Sequence, residues 1–462
     1  MPIGTYTVTV DTSNRNWILT CPVTQTFTVT NPYDFTQAPN FGFKSKYPCP
    51  KPDVSVVMPD MRRGFGDQLI YVQACNLNMA TDALNGSYVE VALDSNITVQ
   101  SCTRPYTDLG NNKYSVSTGT LYPGQCVSFS FSATVNLSAV ALQTLCLSAE
   151  LFPQAACVFD SIPTPYQSGS QVSPCLLPWD KSSLSVTVSC VNDSVRFVVY
   201  NTGDFGGGDM DCYAPVRVFM DGQLIQLDSI RLNGEDSIVY MFPGLGETWR
   251  LEADQHPLHP GKSRPNASIE RCGFGAWTPG IIPQLPPNDA DPIIDIFCAQ
   301  VSAPFDPNDK TGYPTGLGTA HDILQNQEIE YLIRFQNIGT DTAVNVVILD
   351  TLSADLDIFS LRSGVSSHPY EFRMYGSRVL EWHFNNIMLP DSFTNEPASN
   401  GFVTFKVKQN PDLPYGTVIE NTAAIYFDFE APVITNTYFH TVSPPQTTII
   451  TNAKPLLEGN NI

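Results

Sequence analysis

Residues 335–352 read FQNIGTDTAVNVVILDTL, and this stretch decides the fold class. Just before and into it, Ile333 and Phe335 alternate with Arg334 and Gln336, the two-residue period of a strand with one covered face. Asn337-Ile338-Gly339-Thr340-Asp341 then turns the chain, because Asn, Gly and Asp tolerate positive φ or bond their own backbone. A second strand follows, with Val344, Val346 and Ile348 on one face and Asn345, Val347 and Leu349 on the other, ended by Asp350. The stretch carries no chemical motif. It reads as scaffold.

The same order of strand, turn and strand occurs three times. Gln68–Ala74 runs into Cys75-Asn76, and its partner Tyr88–Leu93 ends at Asp94. Val195–Tyr200 runs into Asn201-Thr202-Gly203, and Val216–Met220 ends at Asp221. Each copy continues to a later turn (Leu121-Tyr122-Pro123-Gly124, Leu232-Asn233-Gly234 and Leu389-Pro390-Asp391) and then to an alternating strand. Short strands punctuated by Gly, Pro and Asn predict an all-β chain of tandem immunoglobulin-like β-sandwich domains, with a barrel as the alternative within each unit. The units span 48–162, 175–298 and 306–442. Residues 1–47 read as an incomplete β unit that ends a preceding domain, and 443–462 as a tail.

At 462 residues the chain exceeds one ordinary core. Its 37 Pro and 30 Gly suit many turns, and no long stretch has helical apolar spacing. With a net charge of −21 it lacks the basic footprint that nucleic acid or an anionic lipid surface requires. No apolar run is long enough to span a membrane. All 12 cysteines lie between Cys21 and Cys298, with no zinc-like spacing, so disulfides and an oxidising compartment account for them. The sequence leaves the connectivity open, and the sequence-near pairs Cys21 with Cys49 and Cys146 with Cys157 are the expected bridges. Met1 leads straight into the strand-like Thr5–Val10 without a basic and then apolar segment, so a secreted chain of this kind is expected to be a fragment of a larger one.

Two constellations are candidate sites. Asp306, Asn308 and Asp309, downstream of Asp289 and Asp291, offer the oxygen ligands that calcium takes, at the boundary between the second and third units. Asp, Asn and Pro also simply make turns. The other is Lys310, Asp350 and Asn421: a first-strand lysine and a late-strand asparagine, assisted by a buried carboxyl, can condense to an isopeptide crosslink. The alternative is a surface lysine, a strand-end aspartate and a turn asparagine. His256 and His259 lack a third zinc ligand. The five Trp could stack on sugars, but aromatic residues in small sandwiches are more often core. No nucleophile elbow, zinc-protease helix or phosphate loop is present, so no catalytic residue is named.

The third unit resembles a conserved domain of uncharacterised function in secreted proteins of the Bacteroidetes. The matching residues include Asp306–Lys310, Ser367–Tyr370, Leu389–Ser392, Asn395–Ser399, Gly416–Ala423 and Ile425–Phe429. Trp249–Gln255 and His259–Pro265 make the second unit similar to the module that usually precedes it, and the first unit resembles immunoglobulin-like repeats of bacterial surface proteins. The resemblance implies large exported proteins, anchored or released through the gliding-associated secretion route, with no established catalytic residues. The expected function is therefore a non-catalytic extracellular structural or adhesion protein, a modular stalk or self-assembling surface component. Its partners would be other protein modules or copies of itself. The rival is a set of glycan-binding modules attached to a secreted enzyme. No cofactor is required, and calcium is the one ion the sequence suggests.

Overall fold

The computed structural model describes residues 3–10, 17–31, 40–45, 49–78, 80–154, 175–259, 261, 264–287, 289, 291–301, 308–376 and 378–444. These are strands and turns apart from two short 3₁₀ segments, Ile282–Gln284 and Pro397–Ser399. Two facing sheets enclose the core of each of the first two units, and three sheets enclose that of the third, the extra one pairing Tyr438–Ser443 with Asp322–Leu324 and Val418–Asn421. The chain is thus an all-β array of tandem sandwiches.

The repeated strand–turn–strand is an arch between two sheets. Glu328–Gln336 pairs with Asn400–Gln409 and Asp309–Tyr313, whereas Val346–Thr351 pairs with Val379–Phe384 and Ala423–Phe427 in the opposite sheet. Gln68–Asn76 and Leu84–Leu93 are likewise in different sheets, as are Ser194–Asn201 and Ala214–Met220. Alternation gives strand and face but not the partner across the ladder, so reading the two strands as a pair needs this correction. Val344 lies before the second strand and is exposed.

One buried asparagine holds each arch. Asn337 Nδ2 donates to the Asp341 and Leu389 carbonyls at 2.8 and 2.9 Å, and its Oδ1 accepts from the Gly339 N–H. Asn201 Nδ2 donates to the Gly208 and Asn233 carbonyls. Asn76 Nδ2 donates to the Asp82 and Leu121 carbonyls. In every copy the second acceptor sits in the later turn of the repeat, so one carboxamide joins two turns that are distant in sequence. This pays the hydrogen-bonding debt of buried turn backbone that no strand can satisfy.

The strand Ile294–Gln300 changes the unit boundaries. It follows the second sandwich but pairs with Thr144–Phe152 in the five-stranded sheet of the first. The second sandwich is thus inserted before the last strand of the first, and the sequence boundary at 298 cut through that strand. Cys146 and Cys298 are register partners on the two strands and form a disulfide. This corrects the pairing of Cys146 with Cys157, the latter lying outside the described residues. Cys21 is a free thiol while Cys49 is disulfide-bonded, so that suggested pair is also overturned. Proximity in sequence misled both, because cross-strand pairing brings distant residues together. Further bridges between described residues are Cys75–Cys126, Cys175–Cys212 and Cys190–Cys272.

Gly4–Thr9 pairs with Thr24–Val29, and Trp17–Leu19 with Phe43–Ser45. Neither ladder joins another sheet among the described residues.

Candidate functional site

Charged side chains are ordinarily kept at the surface, yet this chain buries three groups of them. The first is in the second sandwich. The strand Trp249–Ala253 is buried along its whole length, and Arg250 donates from Nε to Glu252 at 2.8 Å. Arg264 reaches Glu252 and Asp254, and Arg217 forms a two-pronged pair with Asp254 at 2.7 and 2.9 Å. Gln255 bonds both the N–H and the carbonyl of Leu184. Burial pushes the Glu252 and Asp254 carboxyls up, but the adjacent guanidiniums outweigh it and hold both below the usual carboxylate range. The motif Trp249–Gln255 is therefore a structural ladder of ions. His259 bonds Ser183 and Gly261 and packs on Trp179, which gives it a packing role.

The second group joins the first sandwich to the third. Leu332, Val365 and Phe402 of the third belong to the apolar core of the first, with Tyr71 on Phe402 and Phe297 on Tyr313 at ring separations of 4.8 and 5.1 Å. Beside this seam Lys406 Nζ contacts Asp295, whose other oxygen accepts the Val56 N–H at 2.5 Å. Asp289 is 4.0 Å from the same ammonium, and Glu330 is the register partner of Lys406. Arg362 spans Asp53 of the first sandwich and Glu328 of the third at 2.6 and 2.5 Å. Arg334 holds Asp309 and donates to the Pro59 carbonyl at 2.9 Å. The sequence reading missed this joint. Thr404, Lys406, Glu330 and Arg334 alternate with apolar residues, the pattern of a solvent face, and only docking buries them.

Burial pushes the Asp289 carboxyl up to about 7, against the pull of Lys406, and raises Glu330 well above the carboxylate range. Lys406, ringed by carboxyls, is raised despite its burial. Both acids bind protons more tightly folded than unfolded, so both cost stability as pH rises, and the Asp289 share is lost between about pH 4 and its folded value of about 7. The docked pair is accordingly expected to melt at higher temperature at about pH 5 than at about pH 7.5. Asp289→Asn, read by calorimetry, should shrink that difference. The ladder in the second sandwich has depressed carboxyls and so loses stability only on acidification below about pH 4.

The third group lies inside the third sandwich. Lys310, on Asp309–Tyr313, contacts Asp350, on Val346–Thr351, and neither side chain is exposed to solvent. The ammonium position sits 4.7 Å from the Tyr331 ring and 5.4 Å from the Phe405 ring. Asn421, on Val418–Asn421, is 2% exposed, and both its amide atoms lack hydrogen-bond partners, as do Asp350 Oδ1 and Tyr331 Oη. Its carboxamide faces Asp350 and Tyr331. Burial lowers the Lys310 amine, although Asp350 opposes it, and raises the Asp350 carboxyl, although Lys310 opposes it. A strand-end role for Asp350 is therefore replaced by an interior one. The equivalent Asp94 and Asp221 accept turn N–H groups instead, from Asn96 and Thr248.

The calcium candidates are dispersed. Asp309 is held by Arg334, Asp289 faces Lys406, and Asn308 Oδ1 accepts the Gln336 N–H at 3.1 Å. Asp291 is buried where the second sandwich ends, and Asp306 lies outside the described residues. Among the described residues no three His, Cys, Asp or Glu side chains converge as metal ligands. Trp249 and Trp382 are core residues, and Trp179 and Trp277 are half-buried. Among the described residues no helix is long and apolar enough to cross a membrane.

No curated protein matches the chain. Among solved structures it is similar to the collagen adhesin from S. aureus, with 11% identity over 58% of this chain and 94% of that one and a TM-score of 0.22. The major pilin subunit of Bacillus cereus, BcpA, gives 16% identity over 57% and 69% with a TM-score of 0.22. The C-terminal domain of the Streptococcus pyogenes antigen I/II-family protein AspA gives 8% identity over 85% and 100% with a TM-score of 0.21. Scores this low carry no argument about function, and the fold rests on the sheets themselves. Residues 306–441, the third sandwich, match the model of a domain of unknown function (DUF7619).

Proposed function

We propose that this chain is a non-catalytic extracellular structural and adhesion protein, a stiff spacer of the kind exported to bacterial surfaces. The observation that carries this reading is the seam between the first and third sandwiches. A shared apolar core and buried ions fix their mutual orientation, where tandem domains on flexible linkers would tumble independently. The disulfides within the first two sandwiches suit an oxidising, extracellular setting.

The adhesive half of the reading rests on one end of the third sandwich. Ser392 N–H bonds the Asn337 carbonyl, and Val344 N–H bonds Asp428, so three turns share one rim. That rim exposes Ile338, Met388, Phe393 and Phe429, the last two almost completely. Clustered exposed apolar side chains mark an interaction surface. The acidic chain suits a protein module with compensating basic charge.

Small-angle scattering from the full chain tests the spacer. The profile is expected to fit one fixed arrangement of the first and third sandwiches, and Arg334→Glu with Arg362→Glu should broaden it. A wild-type profile that requires independently moving modules would overturn the reading.

A further inference from the structure

We propose that Lys310 and Asn421 condense to an intramolecular isopeptide bond, with Asp350 relaying the proton. The arrangement as separate side chains is costly. An amine and a carboxamide are both withdrawn from water, and both atoms of the carboxamide lack partners. Lys310 pairs with Asp350, but a purely structural role leaves the buried Asn421 carboxamide beside that pair unused. The chemistry of an amide bond accounts for all of them together.

The lysine is held in place from both sides. Its backbone N–H donates to Asn436 Oδ1 and its carbonyl accepts from Asn436 Nδ2, both at 2.9 Å. Asn421 is the register partner of Tyr438, two residues after Asn436, so the two reactants stand on opposite sides of one chain segment. Tyr331 and Phe405, with Trp382 packed on Phe405 at 5.3 Å, wall the site with aromatic rings and exclude water that would hydrolyse the intermediate.

In the reaction Lys310, as the neutral amine that burial favours, attacks the Asn421 Cγ. Asp350, as the neutral acid that burial favours, donates a hydrogen bond to Oδ1 and stabilises the oxyanion. The Nζ–Cγ bond forms, and a proton from Nζ passes through the Asp350 carboxyl to Nδ2. The Cγ–Nδ2 bond breaks and ammonia leaves, so no oxidant, reductant or cofactor is consumed. The product retains one N–H, placed to donate to Asp350, and one carbonyl. The bond would tie the first strand of the third sandwich to a late one in a unit that follows the last cysteine, Cys298.

The test is the mass of the intact, fully reduced chain. Wild type is expected about 17 Da, one ammonia, below its sequence mass. Peptide mapping should place Lys310 and Asn421 in one branched peptide. Lys310→Met and Asp350→Ala should each return the full sequence mass. Asn421→Asp, which would release water instead, should fall about 18 Da below its own sequence mass. A wild-type chain at its full mass overturns the proposal whether or not any variant folds. So does a deficit that persists in Lys310→Met or maps elsewhere. The mass does not depend on how the sandwiches dock, so its outcome and that of the scattering experiment stand apart.

Discussion

Lys406→Met is expected to lower the stability of the docked first and third sandwiches by about 3–5 kcal/mol at about pH 7.5. The reason is the company the ammonium keeps. Asp295 has no exposed surface, and Lys406 is the cation in contact with it. Burial raises the Asp289 carboxyl only to about 7, so at about pH 7.5 it is largely ionised, and the variant leaves it and the buried Asp295 carboxylate without the ammonium. Asp289 takes up a proton as pH falls, so the variant's deficit should shrink as pH falls to about 5. Guanidinium unfolding at both pH values measures the two deficits. An equal loss at both would mean that packing of the lysine stem, and not its charge, holds the joint.

Asn337→Ala is the second large effect, with an expected loss of about 2–4 kcal/mol. Alanine leaves the Asp341 carbonyl without its side-chain donor, takes away one of the two donors to the Leu389 carbonyl, and leaves the Gly339 N–H without its acceptor. The loss is not local to the turn, because Leu389 belongs to a segment that also bonds Ala343 in both directions. Asn337→Asp keeps the acceptor but sets a carboxylate against two carbonyls, and should be at least as destabilising. Asn201→Ala, removing donors to Gly208 and Asn233, should do the same in the second sandwich. Chemical denaturation of each variant checks the prediction. A loss below about 1 kcal/mol would mean that water reaches the freed carbonyls.

Residues 335–352 show how far a sequence reads. The alternation of Ile333 and Phe335, and of Val346 and Ile348, identifies strands and their inward faces, and all four side chains are fully buried. The repetition of Asn76, Asn201 and Asn337 marks the modules, and the structure supplies the reason for the asparagine. The Lys310, Asp350 and Asn421 set was also legible, because a first-strand lysine and a late-strand asparagine straddle the core of any sandwich. Its geometry was not: Asp350 reads in the sequence as the end of a strand, and only the fold withdraws it from solvent beside Lys310.

Partnership is what the sequence left open. The two strands of the arch are in opposite sheets, Cys146 is bonded to Cys298, and Ile294–Gln300 closes a sandwich that began before the second one. All three depend on contacts between residues far apart in the chain, which local periodicity does not encode.

By itself, then, the sequence determined the all-β class, the modular period and the chemical identity of the crosslink candidates, since those follow from side-chain alternation, turn chemistry and functional groups. Only the tertiary structure decided that Thr404, Lys406 and Glu330 face another sandwich and not water. A polar face looks the same in a sequence whether it meets solvent or a complementary set of charges. The difference lies in the Asp53, Asp289 and Asp295 carboxyls that the fold brings to it.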